Sequence, residues 1–182
     1  MVARLLAHAL EREASFTATT VGRGKMENAQ IRRSRVIRDF GALKSDLEAA
    51  FLARLQQAIS ALRLTPFTVA GLSLELAAHG DGDFYQRHID TFIGVDRARA
   101  DRILTGVYYF HAQPKAFSGG ELRLFSLRPP EQGGTYLDIA PSCDNLLLFP
   151  AWVPHEVRPV SCPEGGFARS RFAINCWYNG TA

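Results

Sequence analysis

The sequence predicts a mainly β chain with N-terminal helices (α+β), its β-rich part closing as a sandwich or barrel. Two observations carry this. Up to Pro66 the apolar residues recur at helical spacing, and after it short β-type runs alternate with Gly- and Pro-rich breaks to the end of the chain. A third observation bounds the size: 182 residues, 47% of them hydrophobic, suit one domain with one core. The expected organisation is a single domain over 1–182, with 1–65 as helical support and 66–182 as the β core.

The elements follow in order. MVARLLAHALEREASF carries Val2, Leu5, Leu6, Ala9 and Leu10 on one side and predicts a short amphipathic helix. The rest of the segment to residue 40 reads as a polar connection containing Gly and Arg. A second helix is predicted from Gly41 to Arg63. Leu43, Leu47, Ala50, Phe51, Arg54, Ala58, Ile59 and Leu62 form its inner stripe, in which only Arg54 is polar, and Thr65-Pro66 ends it. The strands are FTVAGLSLEL, ILTGVYYF, ELRLFSL, TYLDI, NLLLF, HEVRPV and RFAINCWY. The breaks are HGDGD, AFSGG, RPPEQGG, APSCD and SCPEGG.

The bulk numbers exclude several classes. A net charge of +3 does not argue for a nucleic-acid partner, and no apolar run is long enough to span a membrane. Basic residues do cluster within 23–38: Arg23, Lys25, Arg32, Arg33, Arg35 and Arg38. They read either as a solvated, mobile surface or as a docking surface for an acidic or nucleic-acid-associated substrate. Cys143, Cys162 and Cys176 are odd in number and form no CxxC pair, so neither a disulfide framework nor a zinc ribbon is expected. With no export signal, the cytoplasm is the expected compartment.

The chemistry begins at His88-Ile89-Asp90. Strand residues i and i+2 share a face, so an imidazole and a carboxylate project together. With His155 downstream they make a two-histidine, one-carboxylate facial set, which leaves about three positions open on an octahedral metal and suits non-haem iron(II). Zinc hydrolases can use the same ligands, so the trio alone specifies only a divalent metal. His79, in the HGDGD turn, is expected to be solvated, and His111 has no partner at ligand spacing. In the last strand Arg171, Ala173, Asn175 and Trp177 share one face. An inward guanidinium requires an anion, and a dicarboxylate co-substrate supplies one through paired hydrogen bonds. Arg169 has the same parity and is the fallback, expected to be more exposed.

HxD, VYYF, FSGGELRLF, DNLLLFPAWVPHEVRPV and RFAINCWY, in this order over roughly residues 70–178, resemble the prolyl-hydroxylase-like branch of the 2-oxoglutarate/iron(II) oxygenases. The resemblance implies a double-stranded β-helix, a cupin-like jelly roll with the metal at its open end. It implies His88, Asp90 and His155 as iron(II) ligands, and Arg171 and Tyr109 on the distal carboxylate of 2-oxoglutarate, with Asn175 and Trp177 lining the pocket. It further implies dioxygen as co-substrate, ascorbate as reductant, and hydroxylation of an unactivated C–H bond of a protein, peptide or small molecule with release of succinate and carbon dioxide. A non-catalytic cupin-like metal module is the rival reading, and it leaves Arg171 without a role. Two departures stand out. The interval from His155 to Arg171 is longer than in close relatives, the excess falling in SCPEGGFARS. Ala78 replaces a tyrosine of the relatives, with Tyr85 as the candidate substitute. Thr91–Ile103, TFIGVDRARADRI, is expected to be a polar loop at the barrel mouth, either a connector or a substrate-gripping lid.

Overall fold

The computed structural model describes residues 1–19, 28–91 and 101–181. Its elements are α1 (Val2–Glu11), β1 (Thr17–Ala18), β2 (Arg32–Arg33), β3 (Arg35–Ile37), α2 (Leu43–Leu52), α3 (Leu55–Ala61), β4 (Thr68–His79) and β5 (Phe84–His88). There follow β6 (Asp101–Phe110), β7 (Ser118–Gly119), β8 (Leu122–Phe125), β9 (Tyr136–Ile139), β10 (Asn145–Pro150), β11 (His155–Val157), β12 (Val160–Ser161) and β13 (Arg171–Thr181). The strands form a six-stranded sheet in the order β1-β3-β4-β13-β6-β10, a five-stranded sheet in the order β2-β5-β11-β8-β9, and the short pair β12-β7. Among the described residues every pairing is antiparallel. This is the expected mainly β jelly roll with a few helices.

The six-stranded sheet is buried on both faces, and this sorts its residues. On β13, Phe172, Ile174, Cys176 and Tyr178 belong to the core formed with the helices, which contribute Leu5, Ala9, Leu43, Leu47 and Phe51. Each fully buried apolar side chain of this kind contributes roughly 1.5–3 kcal/mol. The opposite face faces the second sheet. There Ala173 packs with Val107, Tyr109, Leu122 and Phe149. Because β4 pairs with β13 in the register Arg171↔His79, Ala173↔Ala77 and Asn175↔Glu75, the residues His79, Ala77 and Glu75 share that inner face.

Several local expectations are corrected. The helix expected over 41–63 is two helices, parted at Ala53–Arg54; the one polar residue in the apolar stripe marks the break and is exposed. Tyr178 donates a 2.7 Å hydrogen bond to the Phe51 carbonyl near the end of α2. In α1, His8 rather than Leu10 is buried: its ring makes a 2.9 Å hydrogen bond to the Asp39 carbonyl, while Leu10 is exposed. The segment to residue 40 is not merely a connection. It supplies β1 and β3 to one sheet and β2 to the other, so the first 65 residues are not helical support alone. The basic segment is correspondingly built in. Arg33 bonds Asp83 at 3.2 Å, Arg35 lies over the Phe167 ring, and Arg32 and Arg38 both reach Glu75. Arg23 and Lys25 fall outside the described residues. Of the loop expected over 91–103, residues 92–100 fall outside them too, and 101–103 belong to β6.

Candidate metal and co-substrate site

β5 ends on His88, β11 begins on His155, and the two residues are cross-strand partners. Asp90 lies just past β5, where its N–H donates to the Ala151 carbonyl at 2.9 Å. One ligand atom from each of the three lies within 4.8 Å of the others. Asp90 Oδ1 is 3.7 Å from His88 Nε2, and Oδ2 is 3.6 Å from His155 Nε2. These separations are too long for hydrogen bonds, so the three groups do not satisfy one another. A cation with bonds of about 2.0–2.2 Å to nitrogen and oxygen would bridge them.

Second contacts aim the rings. His88 Nδ1 lies 2.8 Å from the Gln86 carbonyl and His155 Nδ1 2.9 Å from the Val153 carbonyl. A carbonyl only accepts, so each Nδ1 carries the proton and each Nε2 keeps its lone pair for a metal. Thr105 donates to Asp90 Oδ2 at 2.8 Å. Burial, and next the neighbouring His155, pull the His88 pKa down to about 4, which leaves the ring neutral at physiological pH. Burial opposes the charge on Asp90, but His155, His88, Trp177 and Thr105 outweigh it and hold the carboxyl below the usual range. Two imidazoles and one carboxylate form a donor set that fits a divalent metal such as iron(II).

Arg171, Asn175 and Trp177 line the same cavity as the trio, together with His79, Tyr85, Thr105 and Arg32. Arg171 is 1% exposed. Its Nε donates to the Gly120 carbonyl at 2.8 Å and its Nη1 lies 3.4 Å from His79 Nδ1, while Nη2 has no partner. Gly120, at φ +70°, makes this possible: a Cβ there would meet Arg171 Cδ at 2.7 Å. Among the described residues no carboxylate forms an ion pair with Arg171. Burial lowers its pKa, and Tyr109 and Glu121 only partly oppose this. Tyr109 is fully buried, with the guanidinium 5.0 Å from its ring centroid and its hydroxyl unpartnered. A buried guanidinium with a free N–H beside a free hydroxyl fits an anionic ligand.

The remaining candidates sort by position. Arg169, in a 3-10 turn, is exposed and pairs with Glu164. His111 is buried against Phe117 at the far end of β6, and its Nδ1 meets the Ala112 carbonyl at 2.8 Å. His79 is not solvated: β4 extends through it, and it is 3% exposed. Ala78 packs in the helix-side core, on the face of β4 opposite the cavity, so no gap opens in the pocket there. Tyr85 stacks on the His88 ring at 3.6 Å and carries Arg32 on its own ring at 4.7 Å. His79, Thr105, Gly120, Arg32 and Glu75 escaped the sequence reading. A signal existed for two of them: in LELAAH the apolar side chains Leu74, Leu76 and Ala78 alternate with Glu75, Ala77 and His79.

Comparison with known proteins agrees with this geometry. The family profile of the 2OG-Fe(II) oxygenase superfamily matches residues 74–179. An uncharacterized PKHD-type hydroxylase of Synechocystis sp. is 38% identical over 140 residues, which is 75% of this chain and 45% of that protein. The chain thus spans less than half the length of that relative. A Pseudomonas putida prolyl-4-hydroxylase superposes with a TM-score of 0.66 at 25% identity, covering 100% of this chain and 86% of its own. A Trichoplax adhaerens prolyl hydroxylase, solved with a hypoxia-inducible-factor peptide fragment, gives 0.66 at 25% identity, covering 97% of this chain and 77% of its own. The chain belongs to the 2OG-Fe(II) oxygenase superfamily.

Proposed function

We propose that this chain is an iron(II)- and 2-oxoglutarate-dependent dioxygenase. In this reading it hydroxylates an unactivated C–H bond, in a prolyl or other side chain of a protein or peptide, and releases succinate and carbon dioxide. One observation carries the reading: the His88, Asp90 and His155 trio shares a cavity with a buried guanidinium that has no carboxylate partner. Bound iron(II), with 2-oxoglutarate and dioxygen, supplies the oxidising power for the reaction.

The chain's own residues do the rest. His88, Asp90 and His155 would hold the metal ion. Their Nδ1–H bonds to Gln86 and Val153 keep both rings aimed without relying on the metal. Arg171 Nη2 and the Tyr109 hydroxyl hold the distal carboxylate, which orients the keto-acid end toward the metal. Asn175 and Trp177 line the passage between the two ends, and Val107, Leu122 and Val157 restrict water in the same cavity.

The peptide bound to the Trichoplax relative supports a protein or peptide substrate. Ascorbate as reductant is a further part of this reading. Three unpaired cysteines support a reducing, cytoplasmic setting, and no described helix is long and apolar enough to cross a membrane. Residues 1–182 act in this reading as one domain, with helices and barrel sharing a core.

The test is succinate formation from 2-oxoglutarate with iron(II) under air. The wild type is expected to produce it, and His88→Ala and Asp90→Ala to produce none. Variants that turn over co-substrate at the wild-type rate would remove these residues from the metal. A wild-type chain that gains no thermal stability from Mn(II) with 2-oxoglutarate would sink the co-substrate assignment.

A further inference from the structure

The bond between His88 Nδ1 and the Gln86 carbonyl fixes one point of the imidazole but not its plane. A ring held at Cβ and at one nitrogen can still swing about the line joining them. The backbone beneath it does little to prevent this. β5 ends on His88, and its pairing with β11 shifts register between His155 and Val157, the partners of His88 and Tyr85. On its other side β2 pairs with Tyr85 and Phe84, and the Gln86 N–H donates to the Ile31 carbonyl at 2.8 Å, two residues short of His88. Side chains supply the plane instead. Tyr85 stacks on His88 with ring centroids 3.6 Å apart and an interplanar angle of 17°. Arg32, the cross-strand partner of Tyr85, lies over that ring 4.7 Å from its centroid. We propose that Arg32 is a positioning residue for the metal ligand His88, acting through the Tyr85 ring. This rests on the metal site of the function proposed above.

Arg32 is itself anchored. Its Nη2 donates to Glu75 Oε1 at 2.8 Å and its Nε to Ser34 Oγ at 3.2 Å, and its side chain is 10% exposed. Glu75 stands on β4, inside the six-stranded sheet, and Arg38 holds its other oxygen. β2 and β5 belong to the five-stranded sheet. A line of contacts therefore crosses from one sheet to the metal-bearing strand of the other: Glu75, Arg32, Tyr85, His88.

Each contact in that line restrains the next. A guanidinium with two of its nitrogens hydrogen-bonded is a fixed, flat plate, and its charge is attracted to the face of an aromatic ring. A Tyr85 ring in contact with both groups cannot tilt without parting from one of them. The imidazole stacked on it keeps its plane before any metal arrives. Ligand rings aimed in advance bind a metal more tightly than rings that the metal must order.

The experiment is titration of the metal-free chain with Mn(II) without dioxygen, followed by calorimetry, with the visible spectrum of the Co(II) form as a readout of ligand geometry. Arg32→Met and Tyr85→Leu should each weaken Mn(II) binding about 10-fold, the lower end of the range for groups that orient a metal ligand, and each should shift the Co(II) bands. The double variant should lose no more than the weaker single variant, because both residues act along one line. Arg32→Lys keeps a cation within reach of the ring and of Glu75 and should recover part of the loss. Tyr85→Phe keeps the ring and should bind like the wild type. Variants that lose thermal stability but keep wild-type Mn(II) affinity and Co(II) bands would overturn the proposal, since Arg32 would then be purely structural. Losses that add in the double variant would overturn it too. If Arg32→Met does not fold, Arg32→Lys and Tyr85→Leu carry the same test. A wild type that binds no Mn(II) would refute the function proposed above, and this inference with it.

Discussion

Two buried charge clusters sit on the inner face of the same strand pair, a few residues apart along β4 and β13, and they are built on opposite plans. Glu75, 1% exposed, receives Arg32 at 2.8 Å and Arg38 at 2.5 Å. The Arg32 side chain is itself only 10% exposed, so this carboxylate and guanidinium are matched inside the protein. At the other end Arg171 is equally buried, yet it meets a carbonyl and an imidazole and leaves one N–H free beside a free hydroxyl. A buried charge must be paired, because desolvation is otherwise uncompensated. The complete cluster serves the fold, whereas the incomplete one supports the proposed carboxylate site.

The largest effect on stability should come from breaking the complete cluster. Glu75→Ala strands a buried guanidinium and is expected to cost about 3–5 kcal/mol, read as a lower urea midpoint. A cost below about 1 kcal/mol would mean that solvent, and not Glu75, balances Arg32. The incomplete cluster should behave in the reverse way. Arg171→Met removes an unpaired charge and keeps an apolar side chain, so stability without ligand should hold or rise, as in other buried-charge replacements. Affinity for 2-oxoglutarate with Mn(II) should fall by roughly 100-fold or more, the scale of losing charge-assisted hydrogen bonds. If unfolding were as costly as for Glu75→Ala and co-substrate affinity were kept, the distinction between the two clusters would collapse.

The smallest effect is on acid sensitivity. Burial first, and then Arg171, hold the His79 pKa below its unfolded value of about 6.5. The unfolded chain therefore takes up this proton first as pH falls. Stability linked to His79 is fully present above about pH 6.5 and is lost as pH falls toward the lowered folded value. Between pH 6.5 and 5 the His79→Phe chain should lose less stability than the wild type. Identical slopes would mean that the imidazole is not held neutral by its surroundings.

How much of this was legible beforehand differs by residue. His88 and Asp90 were readable as candidate ligands from their residue types and close spacing, although β5 ends on His88 and Asp90 lies just past it rather than on the same strand face. Arg171 was readable because a cation in an apolar alternation is anomalous. His79 was misread as part of a polar turn, since HGDGD carries strong turn signals and only pairing with β13 carries the strand through it. Arg32 and Arg38 looked like a solvated charge run. Their partner is Glu75, some 40 positions away, and no local spacing links it to them. The 41–63 helix kept its stripe but broke at Arg54, where an arginine interrupts the apolar face.

The sequence by itself determined the mainly β class, the position of the helices and the candidate metal trio. These depend on periodicity and on residue chemistry, both of which are local. The tertiary structure alone decided which charges are matched and which are left open. Pairing is a property of distance and burial between residues remote in the chain, and no spacing rule contains it. The buried Arg171 guanidinium therefore came to lie between His79 and Tyr109, with Nη2 unpartnered, only when β4, β13 and β6 lay side by side.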